Sequence, residues 1–193
     1  MNHEQLNRDT VASFAASLRG SLIEPGDADY DAARTLYNAM IDKRPRLIAR
    51  CVDVADVMTS VDFARDNGLD LAIRAGGHNG PGLALCDDGL VADLSPMKGV
   101  HVDPAAGTVR VQPGCTWADV DHATHPFGLA VPSGIIGSTG VAGLTLGGGH
   151  GYLSRRYGLT VDNLLEVDVV LASGEMVTAN ETQHSDLFWA VRG

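Results

Sequence analysis

A chain of 193 residues, 45% of them hydrophobic and 20% charged, can bury roughly 70% of its unfolded surface and has the composition of a globular protein. Its formal charge of −10 argues against nucleic acid or an anionic membrane as a partner, although backbone amides can still hold a phosphate without lysine. No run approaches the ~18 apolar residues of a membrane span. The polar stretch from Met1 to Asp9 also lacks a basic-plus-apolar leader pattern, so a cytoplasmic location is expected.

In chain order, the periodicity predicts a helix over residues 10–19, with Thr10 as cap, Val11, Phe14, Ala15 and Leu18 on one face, and Gly20 as the stop. A polar stretch around Pro25-Gly26-Asp27 leads to a second short helix near Ala32 to Met40. Pro45 precedes a strand at Leu47 to Arg50, and Asp53 caps a helix whose Val54, Val57, Met58, Val61 and Ala64 form a stripe ending at Gly68. Leu71 to Arg74 is the next strand. Short strands then follow at Leu90 to Asp93, Val100 to Val102 and Thr108 to Gln112, the last two joined through Pro104 to Gly107. Thr116 caps a short helix through Val120 and Ala123, and Leu129 to Val131 reads as a further strand. Residues 165–171 and 175–179 form a hairpin around Ser173-Gly174, and a helix begins at Thr182. The chain closes on Trp189-Ala-Val-Arg-Gly193, an apolar helical segment that reads as a truncation.

Three cysteines, Cys51, Cys86 and Cys115, are odd in number and widely spaced, which suits reduced, mostly buried thiols better than a disulfide framework or a zinc motif. His122 and His125 form an H-x-x-H pair beside Asp119 and Asp121. The pair lacks the glutamate of H-E-x-x-H, and Pro126 breaks the helix that would align the rings, so no metal site is expected. No G-x-S-x-G elbow or Cys-His pair stands out.

Two glycine clusters carry the chemistry. Arg74-Ala-Gly-Gly-His-Asn-Gly80 follows the strand at 71–74 and sets one imidazole, a potential nucleophile, among glycines that let a ligand approach the main chain. His78 could instead hydrogen-bond a turn carbonyl. From Gly137 to Gly151 there are seven glycines in fifteen residues and no lysine, which excludes the G-x-x-x-x-G-K-[ST] phosphate loop. A dinucleotide fingerprint starting at Gly149-His150-Gly151 fails because Ser154 occupies the third glycine's place and no strand feeds the turn. The tract reads either as an amide-rich surface for a flat ligand with a pyrophosphate or as a packing corner against a neighbouring helix. His150 could face that ligand or simply lie on a surface loop.

The ordered set of segments resembles one known family. Arg74-Ala-Gly-Gly-His78, Asp93-Leu-Ser95, Val111-Gln-Pro-Gly114, Pro132-Ser-Gly134, Gly147-Gly-Gly-His-Gly151, Arg156-Tyr-Gly-Leu-Thr-Val-Asp-Asn163, Val169-Val-Leu-Ala-Ser-Gly-Glu175 and Asp186-Leu-Phe-Trp-Ala-Val-Arg-Gly193 are similar, in this order, to the FAD-binding part of the berberine bridge enzyme and 6-hydroxynicotine oxidase family of vanillyl-alcohol-oxidase-type flavoproteins. The resemblance implies an α+β, two-lobed PCMH-type FAD-binding domain over residues 35–193, with a small βαβ lobe before a larger mixed lobe. A helical segment, 1–34, would precede it, and the substrate domain, with its catalytic base, would be absent.

It further implies an oxidase-type, FAD-dependent oxidoreductase whose flavin takes hydride at N5 from a small organic substrate and passes electrons to dioxygen. The alternatives are a non-catalytic FAD-binding fragment and a same-fold NADPH-dependent reductase with non-covalent FAD. In the family, the histidine matching His78 bonds to the flavin 8α-methyl carbon. Arg74, Gly76, Gly77, Asn79 and Gly80 would also bind the cofactor, the amides near His78 holding its pyrophosphate. Asp93, Ser95 and Val167 would lie at the adenosine end. Pro132, Ser133, Gly134, Gly140, Val141, Gly143, Gly147, Gly148, Gly149 and Gly151 would line the phosphates and flavin. Many relatives add a second link from a cysteine; here Ile136 or Gly137 stands at that place, so a single histidyl link is expected.

Overall fold

The strands at Leu47–Arg50 and Leu90–Asp93 are apolar almost throughout, and that pattern needs cover on both faces. In the computed structural model, which describes residues 6–192, they receive it. A four-stranded sheet runs in the order β1 (Ser21–Ile23), β2 (Leu47–Arg50), β4 (Leu90–Asp93), β3 (Leu71–Arg74). β1 is antiparallel to β2, while β2 and β3 both lie parallel to β4. Alternation along the strands sends Leu47, Ala49, Leu90 and Ala92 to one face, where they pack with Phe14 of α1 (Arg8–Ser17) and Ala64 of α3 (Val54–Asp66). Ile48, Val91 and Ala72 point to the other face and meet Tyr30 of α2 (Tyr30–Ala33), Leu36 and Leu85.

Helix α3 connects β2 to β3, as the expected strand–helix–strand unit requires, but β4 slots between its two strands. Asp53 caps α3 by accepting from the amides of Ala55 and Asp56. The buried Asp56 carboxylate in turn accepts from the amides of Arg19, Gly20 and Val52 at 2.7–3.0 Å, which pins the α1–β1 turn to the helix. The segment up to residue 34, expected to be helical, therefore also supplies the edge strand β1.

The larger second region is built from two hairpins and short helices. β5 (Val100–Asp103) pairs with β6 (Thr108–Val111), and β7 (Glu166–Val170) with β8 (Met176–Asn180). Between them run α4 (Trp117–Thr124), α5 (Val141–Leu146) and α6 (Ser154–Tyr157), and α7 (Ser185–Ala190) follows β8. An ion pair from Arg110 to Asp168 joins the hairpins, and Arg65 of α3 donates to the Ser173 carbonyl at 2.7 Å, tying the second hairpin to the first lobe. This mixed, two-lobed arrangement is the expected fold class.

Several expected elements differ. The first helix starts at Arg8 because Asn7, not Thr10, accepts from the Asp9 amide, and it ends at Ser17 where Leu18 turns extended. The helix expected over 32–40 stops at Ala33. Leu129–Val131 forms no strand, since nothing among the described residues pairs with it. Helices α5 and α6, neither expected, lie in and just after the glycine tract. Residues 1–5 and Gly193, the outer ends of the two expected units, lie outside the described residues.

Candidate functional site

The three parallel strands end in register on Arg50, Asp93 and Arg74. The buried Asp93 carboxylate sits 3.7 Å from Arg50 Nε and 3.8 Å from an Arg74 nitrogen, and it accepts the Ser95 amide at 3.0 Å. Asp93 and Ser95 thus close the carboxyl edge of the sheet, where ligands of parallel sheets gather. β3 leaves that edge straight into the histidine loop.

The loop is stapled from one side by the segment after α2. Arg74 donates to the carbonyls of Ala33 and Thr35, the Tyr37 amide to the Gly77 carbonyl at 3.2 Å, and Asn38 Nδ2 to the Gly80 carbonyl at 2.9 Å. Gly77 takes φ +67 above Leu36, a conformation a side chain would strain. On the loop's side these bonds use the Arg74 guanidinium and the carbonyls of Gly77 and Gly80. Its amides, from Gly76 through Gly80, donate to no acceptor among the described residues. Arg74 Nε is likewise buried and unpartnered, 3.6 Å from where a Cβ on Gly77 would sit. Five successive free donors beside an arginine are donors of the kind an anion can use.

The second tract meets this loop backbone to backbone. A Cβ on Gly76 would lie 2.5 Å from Gly140 Cα and N, so both positions need glycine for the two segments to touch. Gly140 is held from behind by α4. It forms a bridge with Thr116, flanked by bonds from Trp117 N to the Thr139 carbonyl and from Val141 N to the Cys115 carbonyl, and Ala118 N binds the Gly137 carbonyl. The amides of Gly140, Ala142 and Gly143 have no acceptor among the described residues, and Gly143 faces open space, as Gly80 does. Unpaired amides of both tracts are thereby gathered around the Gly76–Gly140 contact.

Other glycines of the tract serve packing. A Cβ on Gly151 would fall 1.7 Å from the Ser133 carbonyl oxygen, one on Gly134 would strike Leu144 at 2.3 Å, and one on Gly149 would strike the Thr160 hydroxyl at 2.3 Å. The packing reading of the tract therefore holds for these three residues. Gly148 has φ +100 and Gly147 caps α5. Pro132 precedes the Ser133–Gly134 corner, Val167 pairs with Ala179 on the second hairpin, and His150 is exposed.

Cys115, next to the tract in space, points its thiol toward the carbonyls of Met97 and Gly99 rather than into the cleft, and burial pushes that thiol up. Burial also raises Cys51, to about 12. The expected place of a second cysteinyl link holds an exposed Ile136, and Gly137 backs onto Ala118 of α4.

Sequence reasoning missed Tyr37, whose ring stacks on His78 with centroids 4.2 Å apart and planes 15° from parallel. It also missed a charge signal. In a chain with 24 acidic residues, none occurs between Asp70 and Asp87 or between Asp121 and Asp162, the two windows that contain the histidine loop and the glycine tract. Two segments free of carboxylates and rich in unpaired amides suit a pyrophosphate-bearing cofactor, with the one nearby carboxylate, Asp93, lying beside Arg50 and Arg74, and the residues present fit FAD on that count.

Comparison with known proteins assigns the chain to a family. Residues 45–180 match the family model described as FAD binding domain. The chain is 40% identical over 177 residues to (R)-6-hydroxynicotine oxidase of Paenarthrobacter nicotinovorans, covering 92% of this chain and 39% of that protein. The crystal structure of 6-hydroxy-D-nicotine oxidase from Arthrobacter nicotinovorans superposes with a TM-score of 0.90 at 40% identity, over 92% of this chain and 39% of the other. Physcomitrella patens BBE-like 1 superposes at 0.89 with 33% identity, over 95% and 40%. The chain thus spans about 40% of the length of the relatives it matches.

Proposed function

This chain belongs to the family of FAD binding domains, and on that premise we propose that it holds FAD through a covalent bond to His78 and forms the flavin-binding part of an oxidase-type oxidoreductase acting on a small organic molecule. The observation that carries the reading is the convergence of unpaired amides from Gly76–Gly80 and from Gly140–Gly143 around one contact, beside a single imidazole. FAD, when bound, supplies an electrophilic 8α carbon for attachment and an N5 that accepts hydride before dioxygen takes the electrons.

The chain's own residues have three tasks. The free amides bind and orient the pyrophosphate, and the absence of carboxylates from both windows keeps repulsion out of the cleft. Arg74 holds the loop against the segment after α2 while its unpartnered Nε adds positive potential beneath the loop. His78 presents ring nitrogens that make no hydrogen bond among the described residues, leaving free the edge that a nucleophilic imidazole uses.

The test is acid precipitation after incubation with FAD. Wild-type protein should carry flavin into the pellet with the mass of one FAD added, whereas His78→Ala should carry none while keeping its thermal midpoint within a few degrees. Flavin retained covalently by His78→Ala would assign the link to another residue.

A further inference from the structure

Tyr37 is 73% exposed, yet its ring lies almost parallel on that of His78. An exposed aromatic normally turns its edge or face to water or folds onto apolar neighbours; this one covers a single imidazole. The backbone fixes the pairing, because Tyr37 N donates to Gly77 O, immediately before the histidine, and Asn38 Nδ2 donates to Gly80 O, just after it. Two residues upstream, the Thr35 carbonyl takes the Arg74 guanidinium, and Leu36 lies under Gly77. Residues 33–38 therefore form a strap that grips the histidine loop at its start, middle and end.

Stacking engages the face of an imidazole and leaves its edge free. Apart from those of Arg74, the side-chain hydrogen bonds of this loop run from Asn38 to the Gly80 carbonyl and from the Leu83 amide to Asn79; none reaches the imidazole among the described residues. The ring is thus held in plane without either nitrogen being occupied. Resting on the reading of His78 as the flavin-linking residue, we propose that Tyr37 is a positioning residue for flavin attachment, fixing the plane of His78 so that a ring nitrogen lies ready for the flavin 8α carbon. Attachment replaces one C–H bond of the 8α-methyl group and the imidazole N–H by a C–N bond, and the two electrons and two protons released pass to dioxygen. What Tyr37 contributes is orientation before that bond forms.

The exposure of Tyr37 keeps its replacement out of the core, so Tyr37→Leu, Tyr37→Phe and Tyr37→Trp can be compared directly. In the flavin-free protein, the His78 ring protons should show an upfield ring-current shift by NMR that Tyr37→Leu abolishes and Tyr37→Phe and Tyr37→Trp retain. At saturating FAD, covalent incorporation followed by intact mass should slow roughly three- to tenfold in Tyr37→Leu, the scale of one aromatic pair, and return to within about twofold of wild type in the aromatic variants. The affinity for FAD before attachment should stay within about twofold throughout. Attachment by Tyr37→Leu at the wild-type rate, or His78 ring shifts that do not respond to the substitution, would overturn the role of Tyr37 alone. A wild-type protein that binds FAD without any covalent bond would overturn the attachment reading and, with it, the strap's part in it.

Discussion

The histidine loop and the second glycine tract look alike in sequence, yet their glycines answer to different forces. In the loop, the strap takes the carbonyls and leaves the amides free, and Gly80 has open space around it. In the tract, a Cβ at Gly134, Gly149 or Gly151 would strike Leu144, Thr160 or Ser133, whereas Gly140 touches the histidine loop at Gly76, Gly143 has open space, and the amides of Gly140, Ala142 and Gly143 have no acceptor among the described residues. Glycine content alone does not distinguish a ligand cradle from a tight corner. The surroundings of each glycine do.

That comparison can be broken by substitution. Gly151→Ala places a methyl group inside the van der Waals radius of a backbone oxygen, with no flexible neighbour to yield. It should lower unfolding stability by about 3 kcal/mol, at the upper end for an overpacked site, as measured by denaturant titration. A stability like that of wild type would mean that the corner is not a packing device.

A smaller effect comes from the support behind the tract. Asp119 closes the capping box of α4 by accepting from the Thr116 amide at 2.7 Å, and it binds Lys98 at 2.8 Å. The hydrogen bond from Lys98, then that from the Thr116 amide, holds its carboxyl below the usual carboxylate range. A depressed folded-state value stabilises the protein above the unfolded value, near 3.8, and that contribution is lost as pH falls through the folded value. Asp119→Ala should therefore cost about 1 kcal/mol at neutral pH. The gap to wild type should narrow below about pH 4, as read from thermal midpoints across a pH series. A gap independent of pH would remove the carboxylate from the account.

The smallest change sharpens the contrast most. Gly143 lies within α5 with nothing near its missing Cβ. Gly143→Ala should stabilise the protein by about 0.5–1 kcal/mol through helix propensity while weakening FAD binding, because the methyl group enters the cleft. Opposite signs in stability and affinity are the signature of a glycine kept for a ligand. A gain in stability with undiminished affinity would place Gly143 outside the site.

Much of this was legible before the structure. The runs at 47–50, 71–74 and 90–93 are short, apolar and bounded by turn residues, and each is a strand with those limits. Asp53 and Thr116 were recognisable as caps because both precede apolar-periodic helices. The insertion of β4 between β2 and β3 was not legible, since parallel pairing leaves no local pattern. The helix expected over 32–40 yields to tertiary bonds, because Tyr37 and Asn38 spend their donors on the histidine loop. α5 was hidden because Val141-Ala-Gly-Leu-Thr-Leu146 combines β-branched residues with glycine, and its first turn is set by the bridge to Thr116 rather than by propensity. The position of His78 could be read from its glycines; the aromatic ring covering it could not.

The most direct test of a cradle shared by both tracts is backbone amide hydrogen exchange, residue by residue, with and without FAD. Without the cofactor, the unpaired amides of Gly76–Gly80, Gly140, Ala142 and Gly143 should exchange rapidly; with it, both groups should become protected together, while Gly147 and Gly148, already bonded within the tract, change little. Protection confined to one of the two tracts, or absent from both while FAD is bound, would contradict the shared site.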